Sequence, residues 1–252
     1  MIMGIGIDIQ HIIKRYPSAT RNSLEGVSLT INPGSKFGIL GPNGAGKTTL
    51  ISIICGIIEK TEGNIFYHSD KGEIEYKEFR KKLGFVPQDY ALFQELTPKQ
   101  NLEYFGALYN LNRKQITRQT DYLLNKLGLA TVADKQVCTF SGGMKRRVNL
   151  AIGIIHQPQI LILDEPTVGV DVQSKNAIMK LLDELNANGT TIIYTSHHLA
   201  EAQEFCNEIA LIDMGKIILS QTMASLLKEH QTNSLKEVFL ELTGEEYRDS
   251  NV

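Results

Sequence analysis

The stretch GPNGAGKTT, residues 41–49, constrains the fold of this 252-residue chain more than any other feature. It has the spacing G-x-x-x-x-G-K-T, in which glycines allow a tight turn whose backbone N–H groups can surround a phosphate. A short apolar run, KFGIL, precedes it, and TTLISIICGII follows with the apolar pattern of a buried helix. The sequence therefore predicts a strand, a phosphate-binding loop and a helix whose positive N-terminal end faces a bound anion.

The composition narrows the class of protein. Lys and Arg number 26 against 28 Asp and Glu, and the net charge of -2 argues against a general nucleic-acid binder. Cys55, Cys138 and Cys206 are odd in number and widely spaced, so we predict buried thiols in a reducing cytosol and no disulfide. No window approaches the roughly 20 consecutive apolar residues of a membrane span. If a membrane is involved, we expect another chain to supply the spans.

Strand and helix patterns alternate along the chain, with one helical interruption. IGIDIQHI, KFGIL, NIFYH, QILILDEP and TTIIYTSHH are typical of strands, and IALIDMGKIIL predicts a hairpin around Met214 and Gly215. Between about residues 90 and 156 the pattern is helical, with Thr97 as an N-cap, Pro98 in the first turn and a stop near Gly128. We therefore predict an α/β fold with an inserted α-helical subdomain, one domain over residues 1–243 and a polar tail at 244–252.

Two adjacent carboxylates follow a buried strand in ILILDEP. Asp164 and Glu165 would emerge at the carboxyl edge of the sheet, which is where ligands of open α/β sheets bind. Because the two carboxylates repel each other, a Mg²⁺-nucleotide is a natural partner. Asp164 would then hold Mg²⁺ and Glu165 would polarise the attacking water. Taken alone, the pair could also be a strand-end turn that caps a helix.

A third segment, TFSGGMKRRVNLAIGII, breaks a local rule. Ser141 predicts an N-cap, yet Lys145, Arg146 and Arg147 crowd the positive end of the helix, where cations are unfavourable. Glycines and a serine at a basic helix start suit an anion delivered there, although solvated charges next to a glycine turn would give the same letters.

Together and in this order, these segments resemble the nucleotide-binding subunit of an ABC transporter, over essentially the whole chain. GPNGAGKTT is similar to the Walker A loop, ILILDEP to the Walker B strand with its catalytic glutamate, and SGGMKRR to the family signature. The usual signature is LSGGQ, and Phe140 and Met144 replace its Leu and Gln here. SGGMKRR and the near-terminal LKEVFLELTG resemble the ABC-2 type exporters, including drug-resistance ATPases.

The resemblance implies a role for each matching residue. The implied catalytic residues are Glu165, His197 and Gln88, and the implied Mg²⁺ ligands are Thr48, Gln88 and Asp164. The implied ATP contacts are Tyr16, which would stack on adenine, and Gly41, Pro42, Asn43, Gly44, Ala45, Gly46, Lys47, Thr48 and Thr49. The signature residues Ser141, Gly142, Gly143 and Met144 would bind the ATP of a facing subunit, near the D-loop residue Asp171. His197, and not His198, follows Thr195 and Ser196 as the family's switch histidine does.

The resemblance also implies a phosphate-loop ATPase core, with a mostly parallel sheet, helices and an antiparallel β part. Its cofactors would be ATP and Mg²⁺, and its partners a second nucleotide-binding subunit, with a homodimer expected, and an integral membrane permease. It would lie at the cytoplasmic face of the cell membrane and bind no nucleic acid. A soluble ABC ATPase without a permease, an importer subunit and a non-hydrolysing nucleotide sensor are the alternatives.

The segment DYALFQELT after Gln88 carries four large apolar residues, Tyr90, Leu92, Phe93 and Leu96. By resemblance, this segment borders a groove for a short helix of the permease. The same residues could be ordinary core, because apolar side chains at partner surfaces and in cores look alike in sequence.

Overall fold

The computed structural model describes residues 4–17 and 19–243, so the predicted tail at 244–252 lies outside the described residues. The strands are β1 (Gly6–Lys14), β2 (Leu24–Ile31), β3 (Lys36–Leu40), β4 (Glu62–Ser69), β5 (Gly72–Ile74), β6 (Leu83–Val86), β7 (Ile160–Asp164), β8 (Thr191–Ser196), β9 (Glu208–Asp213) and β10 (Lys216–Thr222). The helices are α1 (Lys47–Ile54), α2 (Tyr76–Lys82), α3 (Pro98–Leu108), α4 (Arg113–Lys126), α5 (Gly142–Ile154), α6 (Val172–Ala187), α7 (Leu199–Phe205), α8 (Met223–Glu229) and α9 (Leu235–Thr243). Within the described residues, no helix combines the length and apolar character needed to cross a membrane.

A six-stranded sheet in the order β10-β9-β3-β8-β7-β6 forms the centre of the molecule. Its pairs are parallel except for β9 with β10, which form the predicted hairpin. β7 and β8 are buried along their whole length because layers cover both faces of the sheet, which explains their unbroken apolar runs. The parallel arrangement brings the carboxyl ends of β3, β7 and β8 to one edge.

A second sheet, β2-β1-β4-β5, is antiparallel throughout. Buried and exposed residues largely alternate along β2, as expected for a sheet with one face on the core. Its apolar face joins α1 and the central sheet in one cluster that includes Ile7, Val27, Leu50 and Ile162. The mostly parallel sheet with an added antiparallel part confirms the predicted α/β class.

Three helices, α3, α4 and α5, lie between β6 and β7 in the chain. Thr97 caps α3 and Asn112 caps α4, each with a reciprocal glutamine three residues later, and Pro98 is the first residue of α3. The predicted cap and the predicted proline position are confirmed. The division of the chain into a core and an inserted subdomain at about residues 90–156 stays a prediction.

The cysteine prediction is only partly right. All three thiols are free, and Cys55 and Cys206 are buried, but Cys138 is exposed. Cys138 lies in a single 3₁₀ turn, Val137–Thr139, which turns Val137 into the core and its neighbour outward. Sequence alone gave no register for so short a turn, so the prediction of a buried Cys138 was wrong.

Candidate nucleotide site

A cavity of about 780 Å³ opens beside the loop between β3 and α1. Residues from five parts of the chain line it: Ala19, Thr20, Arg21, Asn22 and Ser23; Asn43, Gly44, Gly46, Lys47, Thr48 and Thr49; Gln88; Glu165; and Met214 and Gly215. Most of the predicted phosphate-binding loop therefore faces the same space as two predicted catalytic residues.

The backbone geometry of the phosphate-binding loop favours glycine at three of its positions. Gly44 and Gly46 have φ of 80° and 109°, in the region that residues with a Cβ rarely adopt. A Cβ on Gly46 would lie 2.8 Å from the Ser23 carbonyl oxygen, and one on Gly41 would lie 2.1 Å from that of Ile212. Helix α1 then starts at Lys47 without a side-chain cap. Its first N–H groups therefore remain available to an anion.

Lys47 is buried although it carries a charge. Its Nζ donates hydrogen bonds to the carbonyl oxygens of Gly41 at 2.7 Å and Pro42 at 3.0 Å. Nζ also lies 3.6 Å from Oε1 of Glu165. Two carbonyl oxygens and one carboxylate therefore contact the ammonium group and offset its charge.

Asp164 and Thr48 come together at the end of β7. The Thr48 hydroxyl donates to Oδ2 of Asp164 at 3.0 Å, and the Thr195 hydroxyl donates to Oδ1 at 2.7 Å. Carboxylate and hydroxyl oxygens are the ligands that Mg²⁺ prefers, and Mg²⁺ usually takes few protein ligands together with water and substrate phosphates. No cluster of three or more His, Cys, Asp or Glu side chains suited to a metal occurs among residues 4–17 and 19–243. Thr48 and Asp164 supply oxygen ligands of the kind that a Mg²⁺ ion bound to nucleotide phosphates would take.

Glu165 has an unusual backbone conformation. Its φ is 48°, which costs of order 1–3 kcal/mol in a non-glycine residue and occurs most often at functional sites. Its N–H donates to the Thr195 hydroxyl at 3.0 Å. Its Oε1 lies 3.0 Å from the buried Nδ1 of His197. Glu165 and His197 are therefore adjacent, as the sequence interpretation requires.

Other predicted residues lie elsewhere. Tyr16 does not line the cavity; it is 38% exposed, and Lys14 Nζ lies 5.0 Å from the centre of its ring. The signature residues lie at the start of α5, where Ser141 caps the helix by accepting from the Met144 N–H at 3.3 Å. They do not face the cavity of their own chain.

Asp171 caps α6 and lies against the signature. It accepts from the Ser174 N–H at 2.9 Å and from the Ser174 hydroxyl at 2.7 Å, and these bonds hold the pKa of its carboxyl below the ordinary value. A Cβ on Gly143 would lie 2.5 Å from Oδ2 of Asp171. A side chain at position 143 would therefore displace the Asp171 cap of α6.

The basic triplet after the signature is occupied within the chain. Lys145 donates to the Gln94 side chain, Arg146 donates to the Gln88 carbonyl, and Arg147 donates to the Leu127 carbonyl. These bonds explain why three cations are tolerated at the positive end of a helix. The structure therefore explains why basic residues occur at the N-terminal end of α5, which the sequence alone did not.

Sequence reasoning missed several residues of the site. Thr195 was noted only as a marker for His197, yet it bonds both Asp164 and Glu165. Met214 and Gly215 were assigned to a hairpin turn and they also line the cavity, where the Gly215 N–H donates to the Ala45 carbonyl at 2.9 Å. Only the neighbouring positions of β3, β7, β8 and β9 reveal these contacts.

Comparison with known protein families identifies the family of this chain. Residues 24–168 match the family described as "ABC transporter", which is more than half of the chain. The chain belongs to the ABC transporter family. A shorter stretch, residues 136–203, also matches a family described as "AAA domain, putative AbiEii toxin, Type IV TA system".

Two relatives in the ABC transporter family are named as ATP-binding proteins of resistance or export. The "Linearmycin resistance ATP-binding protein LnrL" of Bacillus subtilis (strain 168) is 40% identical over 220 residues, 87% of this chain and 70% of the relative. The "Nod factor export ATP-binding protein I" of Rhizobium sp. (strain N33) is 34% identical over 235 residues, 93% of this chain and 77% of the relative. This chain is accordingly an ATP-binding subunit with ATPase activity.

Solved structures agree on the fold. One described as "Structure of ATP binding subunit of ABC transporter" has a TM-score of 0.83 at 26% identity, with 94% of this chain and 99% of that chain covered. A dimeric structure of "the ATP-binding cassette MJ0796 bound to ADP and Pi" has a TM-score of 0.75 at 26% identity, with 86% and 98% covered. These similarities support a phosphate-loop ATPase core.

Proposed function

We propose that the chain hydrolyses MgATP as one half of a dimer of nucleotide-binding subunits and thereby drives an ABC-2 type exporter. The observation that carries this proposal is the convergence of Lys47, Thr48, Asp164, Glu165 and His197 at the carboxyl edge of the central sheet. A phosphate-binding loop, a hydroxyl–carboxylate pair and a carboxylate–imidazole pair are the parts that phosphoryl transfer to water requires.

Each group has a task that its position supports. The N–H groups from Asn43 to Thr48 bind the phosphates, and Lys47 moves from the Gly41 and Pro42 carbonyls to the β and γ oxygens. Thr48 and Asp164 hold Mg²⁺, which neutralises charge on the phosphates. Gln88 lines the same cavity and contacts the cation or the water. Glu165 orients and polarises the water, and His197 holds Glu165 and contacts the γ-phosphate.

The dimer follows from the position of the signature. Ser141, Gly142 and Gly143 lie at the N-terminal end of α5, which Ser141 caps and which favours an anion, and they do not line the nucleotide cavity of their own chain. Their phosphate ligand must then be presented by another copy, and the dimeric cassette similar to this chain gives the precedent. Binding of two MgATP closes the dimer, and hydrolysis with product release reopens it.

Glu165→Gln tests this proposal most sharply. The amide keeps the shape of the side chain but cannot act as a base, so MgATP should bind and hold a stalled dimer. Size-exclusion chromatography with light scattering would measure the dimer, with Lys47→Ala as the control that should neither bind MgATP nor dimerise. A Glu165→Gln protein that stays monomeric with saturating MgATP, or that hydrolyses ATP at the wild-type rate, would refute the assignment.

A groove on another face is suited to the permease. It measures about 550 Å³, with apolar residues Ile57, Phe85, Leu108 and Tyr109 on its floor and Lys77, Arg80 and Lys81 along α2. The predicted segment precedes α3 and contacts it: the exposed rings of Phe93 and Tyr104 have centres 5.0 Å apart, and Tyr104 lies on α3 one turn before Leu108. Exposed Phe93 and Tyr90 favour the groove interpretation over core, whereas Leu92 packs against the core.

Docking there would place the subunit at the cytoplasmic face of the cell membrane, where a short permease helix with an apolar face and acidic residues fits the groove. Leu108→Asp should abolish co-purification of a polytopic membrane protein with the Glu165→Gln bait while ATPase activity remains. Leu242→Asp, an equally polar change at an exposed leucine of α9, is the control. Equal recovery of the membrane protein with both variants would exclude this groove, and recovery of ribosomes or of the dimer alone would exclude the permease.

A further inference from the structure

Side chains of helix α5 hydrogen-bond to the backbone of residues 87–91, the loop that follows β6 and carries Gln88. Asn149 makes the first tie: its Nδ2 donates to the Pro87 carbonyl at 3.2 Å, and its Oδ1 accepts from the Ala91 N–H at 2.9 Å. The Asn149 side chain is only 2% exposed. One buried amide therefore holds both ends of the 87–91 loop.

Arg146 and Tyr90 make the second tie. The Arg146 guanidinium, which is buried, donates to the Gln88 carbonyl and lies over the Tyr90 ring at 5.0 Å from its centre. The Tyr90 hydroxyl then donates to the Gly142 carbonyl at 3.2 Å. Because this contact reaches Gly142, it runs directly from the 87–91 loop to the signature.

Gly142, Arg146 and Asn149 share one face of α5, since they are four and three residues apart. The next residue of the signature, Gly143, contacts the Asp171 cap of α6. The first two turns of α5 therefore connect the loop that faces the nucleotide of the same chain with the glycines that face the nucleotide of the other chain.

Core packing alone does not account for these side chains. A buried guanidinium is costly to desolvate, and its Nε has no hydrogen-bond partner among the described residues, so the cost is not fully offset. An apolar side chain of similar length would fill the space without that cost. What Arg146 and Asn149 add is a set of directed bonds to the backbone of the 87–91 loop.

We propose that Arg146 and Asn149 are positioning residues for ATP hydrolysis, which make the 87–91 loop and the signature move as one body. When the signature of one subunit closes on the nucleotide of the facing subunit, the same displacement of α5 carries Gln88 toward the nucleotide of its own chain. Each site is then completed only when the other is engaged. This inference rests on the proposed dimeric ATPase and adds the two side chains that position Gln88 in it.

The test compares Asn149→Ala, Arg146→Met and Arg146→Lys in the full chain. Asn125→Ala is the matched control, because it removes an amide-to-carbonyl hydrogen bond on α4 that does not involve the 87–91 loop. In Asn149→Ala and Arg146→Met, kcat should fall by about tenfold to a hundredfold, as misplacement of a catalytic group does, and cooperativity in ATP concentration should fall with it. The Kd for MgATP should change by less than about twofold, since Lys47 and the phosphate loop are untouched.

Two further readouts separate positioning from stability. Hydrogen exchange of the Ala91 amide should accelerate in Asn149→Ala. The free energy of unfolding of Arg146→Met should stay near that of wild type, and Arg146→Lys should recover part of the kcat that Arg146→Met loses. Where Asn149→Ala does not fold, Tyr90→Phe removes only the hydroxyl bond from an exposed side chain and should still lower cooperativity. Faster loop exchange with a wild-type kcat would overturn the inference. Failure of the proposed function would appear separately, as the absence of an MgATP-dependent dimer in Glu165→Gln.

Discussion

His156 makes the stability of this protein depend on pH. Its ring stacks on Tyr109 with ring centres 3.6 Å apart and planes within 2°, and its Nε2 lies 3.0 Å from the Leu83 carbonyl oxygen. Nδ1 is buried and has no hydrogen-bond partner in the described part of the chain. The neutral ring with the proton on Nε2 satisfies this site, whereas a second proton would be buried without an acceptor. Burial accordingly lowers the pKa of His156 from 6.5 to about 4.

The sign and size of the effect follow from that shift. The unfolded chain binds a proton at His156 below about pH 6.5, and the folded chain does so only below about pH 4. The contribution of neutral His156 to the free energy of unfolding is therefore fully present above about pH 6.5 and is lost as the pH falls from about 6.5 to about 4. Between about pH 8 and about pH 5, the two pKa values give a loss of about 2 kcal/mol in the free energy of unfolding.

Urea unfolding at several pH values would measure this loss. His156→Gln is the informative variant, because its amide N–H can still donate to the Leu83 carbonyl but does not titrate. The other ionisable groups contribute equally to both proteins, so the difference between their pH profiles isolates His156. Profiles that run parallel to within about 0.5 kcal/mol would refute the assignment of a lowered pKa.

Two further predictions concern buried groups outside the nucleotide cavity. Cys138 should react with a thiol reagent in the folded protein because it is exposed. Cys55 and Cys206, whose pKa values burial raises to about 12, should react only after unfolding. Labelling of all three cysteines at one rate, measured by mass spectrometry, would contradict this prediction. Lys175→Met should cost roughly 1–3 kcal/mol because it removes the cation beside the buried Glu201 carboxylate, whereas Lys216→Met, at an exposed pair with Glu25, should cost less than about 1 kcal/mol. Equal losses in urea unfolding would show that the Glu201 charge is stabilised by other groups.

The parts of the site that the sequence predicted are those encoded by consecutive residues. A strand, a glycine-rich turn and a helix start can be identified from a dozen letters, and so can the carboxylates that end an apolar strand. Helix α2 was missed because it has seven residues and buries only Phe79, so its periodicity is too short to detect.

The parts that were missed depend on which strands are neighbours. β8 lies between β3 and β7 although the three are far apart in sequence, and the register pairs Asp164 with Thr195. Neither strand order nor register can be obtained from local propensity, because both are decided by packing between distant segments.

Thr195 is the residue where this long-range order has the clearest chemical consequence. Its hydroxyl donates to Asp164 Oδ1 and accepts from the Glu165 N–H, so it fixes both the proposed Mg²⁺ ligand and the backbone of the proposed base. Thr195→Val keeps the shape but leaves a buried N–H without an acceptor, so we expect kcat to fall about tenfold or more and stability to fall by about 1–3 kcal/mol. Thr195→Ser keeps the hydroxyl and should retain most of kcat in a steady-state ATPase assay. If Thr195→Val retains the wild-type kcat while Thr195→Ser loses it, the methyl group and its packing, not the hydrogen bonds, are what the site needs from this position.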